Sequence, residues 1–131
     1  MQHFKKNMPS IIWAFFILIV CSISIPKVNE LPSFIPYDKI AHFILYFVLF
    51  ILLIFGFNKY TESKFIFKYK YLLGSVFSLF YGLFIELFQK YIIINRHFDL
   101  FDLLANFIGI LFGLFLYIKI LKNKVLVSKY F

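Results

Sequence analysis

The chain reads as an all-α integral membrane protein: a four-transmembrane-helix bundle with N- and C-termini cytoplasmic. Three observations predict this. Of the 131 residues, 63% are hydrophobic and the mean hydropathy is +0.89, more apolar than the surface of a soluble domain of this size allows. Charged residues cut the chain into four apolar stretches, each near the ~20 residues a helix needs to cross ~30 Å of hydrocarbon. Lys and Arg are then shared unequally between the two sides that those stretches define.

The first span is expected over about residues 9–26, because no charge lies between Lys6 and Lys27 and Pro9 suits a helix start. A cleaved signal peptide is the alternative, since "CSIS" offers small residues, but the apolar core is long and bulky for that role. Cys21 is the only cysteine, so no internal disulfide forms. Val20 stands where a lipoprotein cleavage site needs a small residue, which argues against lipidation at Cys21. The remaining spans are expected at about 40–58, 71–90 and 101–119, within a single membrane domain covering 1–131.

Lys5, Lys6, Lys59, Lys64, Lys68, Lys70, Lys119, Lys122, Lys124 and Lys129 fall on one side of this arrangement. Lys27, Lys39, Lys90 and Arg96 fall on the other. The positive-inside rule puts the first set, and with it both termini, in the cytoplasm. The formal net charge of +8 is therefore mostly a topology signal. No zinc-finger spacing, phosphate-binding glycine loop or long basic run accompanies it, so nucleic acid is not an expected partner. The expected location is the cytoplasmic (inner) membrane as a multi-pass protein, with membrane lipids as partners; oligomerisation stays open.

Polar residues within the spans collect at the extracytoplasmic end. Asp38, Lys39, His42 and Tyr46 open the second span; Glu86 and Gln89 close the third; Arg96 lies in the next loop; Asp99, Asp102 and Asn106 open the fourth. Asp38, His42 and Tyr46 are four apart and share one drifting helix face. Asp99, Asp102, Asn106, Gly109 and Gly113 step by three and four along a single stripe, and Gly74, Ser78, Gly82 and Glu86 step by four. Small residues at that spacing let helices approach closely in lipid, so the faces that pack also carry the polar groups into the bundle. Glu86 lies four residues, about 6 Å, deeper than Lys90. An intramembrane carboxylate needs a partner, and Arg96, Lys39 and His42 are the candidates.

These stretches, "DKIAHFILYFVLF", "YGLFIELFQ" and Arg96 followed by "FDLFDLLANFIGILFG", resemble the VanZ-like family. The resemblance spans about residues 36–117 and places Asp38, Lys39, His42, Tyr46, Glu86, Gln89, Arg96, Asp102, Asn106, Gly109 and Gly113 on family positions, with Asp99 a looser match. The family is named after a small membrane protein associated with resistance to teicoplanin, a glycopeptide that binds cell-wall precursors. The resemblance thus implies a bacterial cell-envelope role and a link to glycopeptide resistance. It supplies no mechanism.

Each polar residue also has a plain reading. Lys39, Lys90 and Arg96 can anchor at the interface by snorkelling. His42, Tyr46 and Asn106 can simply tie helices together. Glu86 is least well explained that way, because a leucine would serve a scaffold better. Three functions stay open. A binding or remodelling protein would hold the phosphate or carboxylate of a lipid-linked or cell-wall precursor with Lys39 and Arg96. An outer-leaflet enzyme would use His42 and Glu86 for acid–base chemistry, or His42, Glu86, Asp99 and Asp102 as a candidate metal set. A proton-coupled transporter is third, because the polar layer stops short of the cytoplasmic side. No cofactor is expected, and no Ser or Cys stands near the layer to act as a nucleophile.

Overall fold

The computed structural model describes residues 5–23, 36–60 and 62–123. His3, Lys27, Lys124, Lys129 and positions 24–26 of the first expected span lie outside them. The described residues form four α-helices and no strand: α1 (Met8–Ser22), α2 (Tyr37–Asn58), α3 (Lys64–Ile92) and α4 (Leu100–Leu116). A π-helical turn, Tyr117–Leu121, continues α4. Among the described residues, α2, α3 and α4 with its extension are long and apolar enough to cross a membrane. The described part of α1 is apolar but has 15 residues, short of the ~20 that a full crossing takes.

The helices alternate in direction. Asn7 donates from Nδ2 to the Tyr60 hydroxyl at 3.0 Å, so the start of α1 lies beside the end of α2. Gln89 donates from Nε2 to the Cys21 carbonyl at 2.9 Å, so the end of α1 lies beside the end of α3. Lys39 at the start of α2 reaches Asp99 and Asp102 at the start of α4.

Beside an apolar core that includes Ile17, Phe50, Ile54 and Ile85, the bundle buries polar side chains and exposes large apolar ones. His42, Ser78, Glu86, Gln89, Asp102 and Asn106 are buried, whereas Phe77, Phe80, Phe84, Phe101 and Phe115 are exposed. A water-soluble domain does the reverse, and this much exposed apolar surface needs lipid or a partner against it. Two aromatic side chains tie α1 to its neighbours. Trp13 donates from Nε1 to the Leu45 carbonyl at 2.9 Å, and the Tyr81 hydroxyl donates to the Ala14 carbonyl at 2.6 Å. Between membrane helices such bonds contribute roughly 0.6 kcal/mol each, up to about 1.7.

Closest approach falls at Gly109 of α4. A Cβ there would strike the Phe43 carbonyl oxygen of α2 and come within 3.2 Å of the Phe47 nitrogen, so only glycine lets the two backbones meet. Phe43 and Phe47 pack side by side along α2, and both rings meet Phe112 of α4.

Two differences from the sequence expectation concern the opposite end. α3 begins at Lys64, seven residues before the expected start at 71, so Lys64, Lys68 and Lys70 ride on helix and not in a loop. Ser63 caps it, accepting from the Ile66 amide at 3.4 Å, and lysine is itself a good helix former. At ~1.5 Å per residue its 29 residues reach ~43 Å, longer than the ~30 Å hydrocarbon core. The charged first turns therefore project past the apolar layer. Polar residues also gather at this end: Lys70 donates to the Asn58 carboxamide oxygen at 2.7 Å, and Asn58 donates to the Tyr117 hydroxyl. These residues form a second, smaller polar group apart from the layer around Glu86 and His42. Asn58 and Tyr117 carry no charge, so nothing in the hydropathy pattern marked them. A crevice of about 270 Å³ opens between α1, α2 and α3 beside Asn7, Ala14, Leu53 and Tyr81, away from the polar layer that Glu86 and His42 form.

Candidate functional site

The starts of α2 and α4 and the end of α3 build one polar cluster. Asp99 is the N-cap of α4, where its side chain accepts from the Phe101 amide at 2.8 Å. This is the usual work of an aspartate before an apolar helix. It sets the phase of the stripe behind it, so Asp102 and Asn106 turn inward, 3% and 1% exposed. Lys39, in the first turn of α2, bridges both aspartates: it bonds Asp99, lies 2.6 Å from Asp102 Oδ1, and is 4.0 Å from its neighbour Asp38. The ammonium beside it holds the Asp99 carboxyl below the usual carboxylate range, and the Phe101 amide adds to that.

One turn deeper, His42 Nδ1 is 3.0 Å from Asn106 Oδ1. A carboxamide oxygen only accepts, so Nδ1 carries the proton and Nε2 is left facing the carboxylates. Nε2 lies 3.7 Å from Asp102 Oδ2 and 4.0 Å from Glu86 Oε1. Glu86 is fully buried, and its Oε2 accepts from the Asp99 backbone amide at 3.2 Å. The Tyr46 ring lies parallel to the His42 ring, centroids 6.4 Å apart, and packs against its lower side. Among the described residues, Glu86 Oε1, Asn106 Nδ2 and the Tyr46 hydroxyl are buried without a hydrogen-bond partner. In an apolar surrounding each such group costs on the order of 1–3 kcal/mol.

Asp38, Lys39, His42, Tyr46, Glu86, Asp99, Asp102 and Asn106 thus meet in one place. Gln89 and Arg96 do not join them. Gln89 ties α3 to the end of α1, and Arg96 turns to the Ile23 carbonyl, 3.5 Å from its Nη2. Among the described residues Arg96 makes no ion pair with a carboxylate. Glu86 therefore answers to His42 and to a backbone amide, not to Arg96 or Lys39. The loop explains this: Asn95 takes a left-handed conformation, φ 65°, which asparagine tolerates better than most residues. The chain thereby reverses tightly after Ile93, and Arg96 faces α1. The Asp99 amide had no signal in the sequence, because every residue but proline has one.

Of the four candidate metal ligands, Glu86 and Asp102 each face His42, while Asp99 is taken by Lys39 and by its capping role. Asp38 stands in for it: Asp38, His42 and Asp102 each offer an atom within 4.8 Å of the others.

Searches against curated proteins and against solved structures find no match for the chain. A family model described as VanZ/LLP1 matches residues 2–122. The match takes in α1, which the motifs quoted above do not reach. With nearly its whole length covered, the chain belongs to the VanZ/LLP1 family.

Proposed function

We propose that this is a multi-pass protein of the bacterial cytoplasmic membrane, with four spans and cytoplasmic termini, which binds the polar headgroup of a lipid-linked or cell-wall precursor at its extracytoplasmic end. Family membership supports the bacterial membrane setting and a relation to glycopeptide resistance. The lysines of the α2–α3 connection lie at the opposite end of the bundle from the polar cluster, which supports the orientation.

One observation carries the binding assignment. Glu86 Oε1 and Asn106 Nδ2, an acceptor and a donor, are both buried in this cluster with their bonding capacity unused. A headgroup rich in hydroxyl, amide or amino groups, as sugars and peptides are, would satisfy both. Lys39 already has two aspartates and Arg96 faces α1, so an anion clamp made of those two cations has less support than hydrogen bonding to the neutral part of the headgroup. The test is retention of lipid-linked precursor by purified protein, together with teicoplanin, detergent and osmotic susceptibility of a deletion strain. No retained precursor, with a deletion strain that matches its parent in all three, would remove the assignment.

A second role has a specific observation behind it. His42 is oriented through one nitrogen by Asn106 while the other faces two carboxylates, which is the arrangement of a general acid–base histidine. In that case Glu86→Gln keeps precursor binding and loses the cellular phenotype, since a carboxamide cannot shuttle protons.

A further inference from the structure

We infer that His42, Asp102 and Glu86 form a binding site for one divalent first-row metal ion, Zn²⁺ or Mn²⁺, with Asp38 closing the exposed side. This deepens the site proposed above and rests on its being a site at all. The distances come first. Nε2 of His42 is 3.7 Å from Asp102 Oδ2 and 4.0 Å from Glu86 Oε1, and a carboxylate oxygen of Asp38 lies within 4.8 Å of the His42 and Asp102 ligand atoms. Ligand atoms of a tetrahedral ion with bonds of about 2.0–2.2 Å stand roughly 3.3–3.6 Å apart. The two contacts to His42 need to close by roughly 0.1–0.7 Å, whereas Glu86 stands outside the set of Asp38, His42 and Asp102 whose ligand atoms all lie within 4.8 Å of one another and has further to move to join it.

The outer atoms of the same side chains are already tied. His42 Nδ1 donates to Asn106 Oδ1 at 3.0 Å. Asp102 Oδ1 accepts from Lys39 at 2.6 Å. Glu86 Oε2 accepts from the Asp99 amide at 3.2 Å. Each prospective ligand is thus oriented from behind, as ligating histidines and carboxylates are, and its inward atom is left over. Glu86 Oε1 in particular has no hydrogen-bond partner and is fully buried.

Charge points the same way. Three carboxylates converge on one imidazole, and Lys39 supplies positive charge only on the far side of Asp102. Carboxylate oxygens gathered on one imidazole repel one another unless positive charge stands between them. One imidazole nitrogen with carboxylate oxygens suits Zn²⁺ or Mn²⁺ better than Ca²⁺ or Cu⁺. The exposed Asp38 marks the way in.

The experiment uses the full chain purified in detergent without a histidine tag, stripped with chelator, and titrated with Zn²⁺ or Mn²⁺ alone. The expected result is one ion per chain by elemental analysis. His42→Ala and Glu86→Gln should each weaken binding at least ~100-fold, and Asn106→Ala ~10–100-fold through loss of the orienting bond. His97→Ala, which removes an exposed loop histidine, should change nothing. Glu86→Gln keeps the side chain's shape, so a matched circular dichroism spectrum and elution volume separate lost ligand from lost fold. No bound ion, or an ion lost in His97→Ala but kept in His42→Ala, overturns the inference. Precursor retained by the stripped protein with no metal bound would sink the metal alone; metal bound with no precursor retained would sink the headgroup role alone.

Discussion

His42 and Asn106 meet across the α2–α4 contact, Nδ1 3.0 Å from Oδ1, and this bond decides which edge of the imidazole the carboxylates see. Asn106→Leu keeps the number and branching of side-chain heavy atoms and removes the acceptor. The ring is then free to rotate, and the expected outcome is loss of precursor binding with a stability loss of no more than about 2 kcal/mol. Asn106→Asp restores an acceptor for Nδ1 and should recover part of the binding. Thermal unfolding in detergent beside a binding assay checks both. Equal binding in Asn106→Leu and the natural chain would show that the bond is only structural.

Glycines on α3 should separate packing from function. A Cβ on Gly82 would stand 2.8 Å from Asn106 Nδ2 and 3.3 Å from the Tyr46 ring, so Gly82→Ala pushes on the residue that orients His42. A Cβ on Gly74 would meet Ile54 Cδ1 at 2.9 Å, the end of a flexible side chain. Gly74→Ala is expected to keep function, and Gly82→Ala to lose it with the bundle intact. Gly109→Ala strikes backbone and should destabilise by roughly 1–3 kcal/mol. Comparing abundance and function across the three variants decides it.

Removing the cation of the Lys39 cluster leaves Asp102 buried with only the His42 ring, 3.7 Å away, to face it. Lys39→Met should destabilise by less than the roughly 3–5 kcal/mol of a fully buried pair, because the Lys39 side chain is 30% exposed. The double variant with Asp102→Asn should regain most of it. Hydrogen exchange over residues 99–104 reports the fraying of α4.

The Lys39–Asp99 pair also predicts a pH response. The folded-state value of Asp99 is lowered, so its contribution is complete above the ordinary carboxylate value and disappears as pH falls through the lowered one. Acidification to about pH 4 should therefore leave the α4 cap in place. Loosening of residues 99–104 at pH 5 would contradict this.

Orientation has its own test. Single cysteines at Lys64 and Asn95, both exposed, are labelled with a membrane-impermeant reagent in intact cells after Cys21→Ala. Labelling at position 95 and not at 64 is expected, and the reverse would put the cluster on the cytoplasmic side.

The fold was legible where charge and period speak. Uncharged stretches marked three long helices, and the stripes through His42, Glu86 and Asp102 showed which faces turn inward, because lipid cannot receive them. Side-chain identity did not reveal how far a helix runs into water: α3 starts at Lys64 because lysine suits a helix as well as a loop. Nor did it reveal which cation serves which carboxylate. Arg96 was a reasonable partner for Glu86 by depth, but the turn at Asn95 faces it away, and a backbone amide took its place.

The central claim is that the buried cluster does work beyond holding helices together. Glu86→Gln tests it most directly, because the substitution keeps size and burial while removing the charge from a carboxylate that, alone among those of the described residues, has a buried oxygen with no hydrogen-bond partner. The measurement is complementation of the deletion strain's envelope phenotype by Glu86→Gln, with protein abundance and melting temperature recorded in the same preparation. The predicted result is natural abundance, an unchanged or higher melting temperature, and impaired complementation, partial where the carboxamide still accepts from a headgroup and complete where Glu86 moves protons. Full complementation at natural abundance would contradict the account and leave the cluster as helix glue.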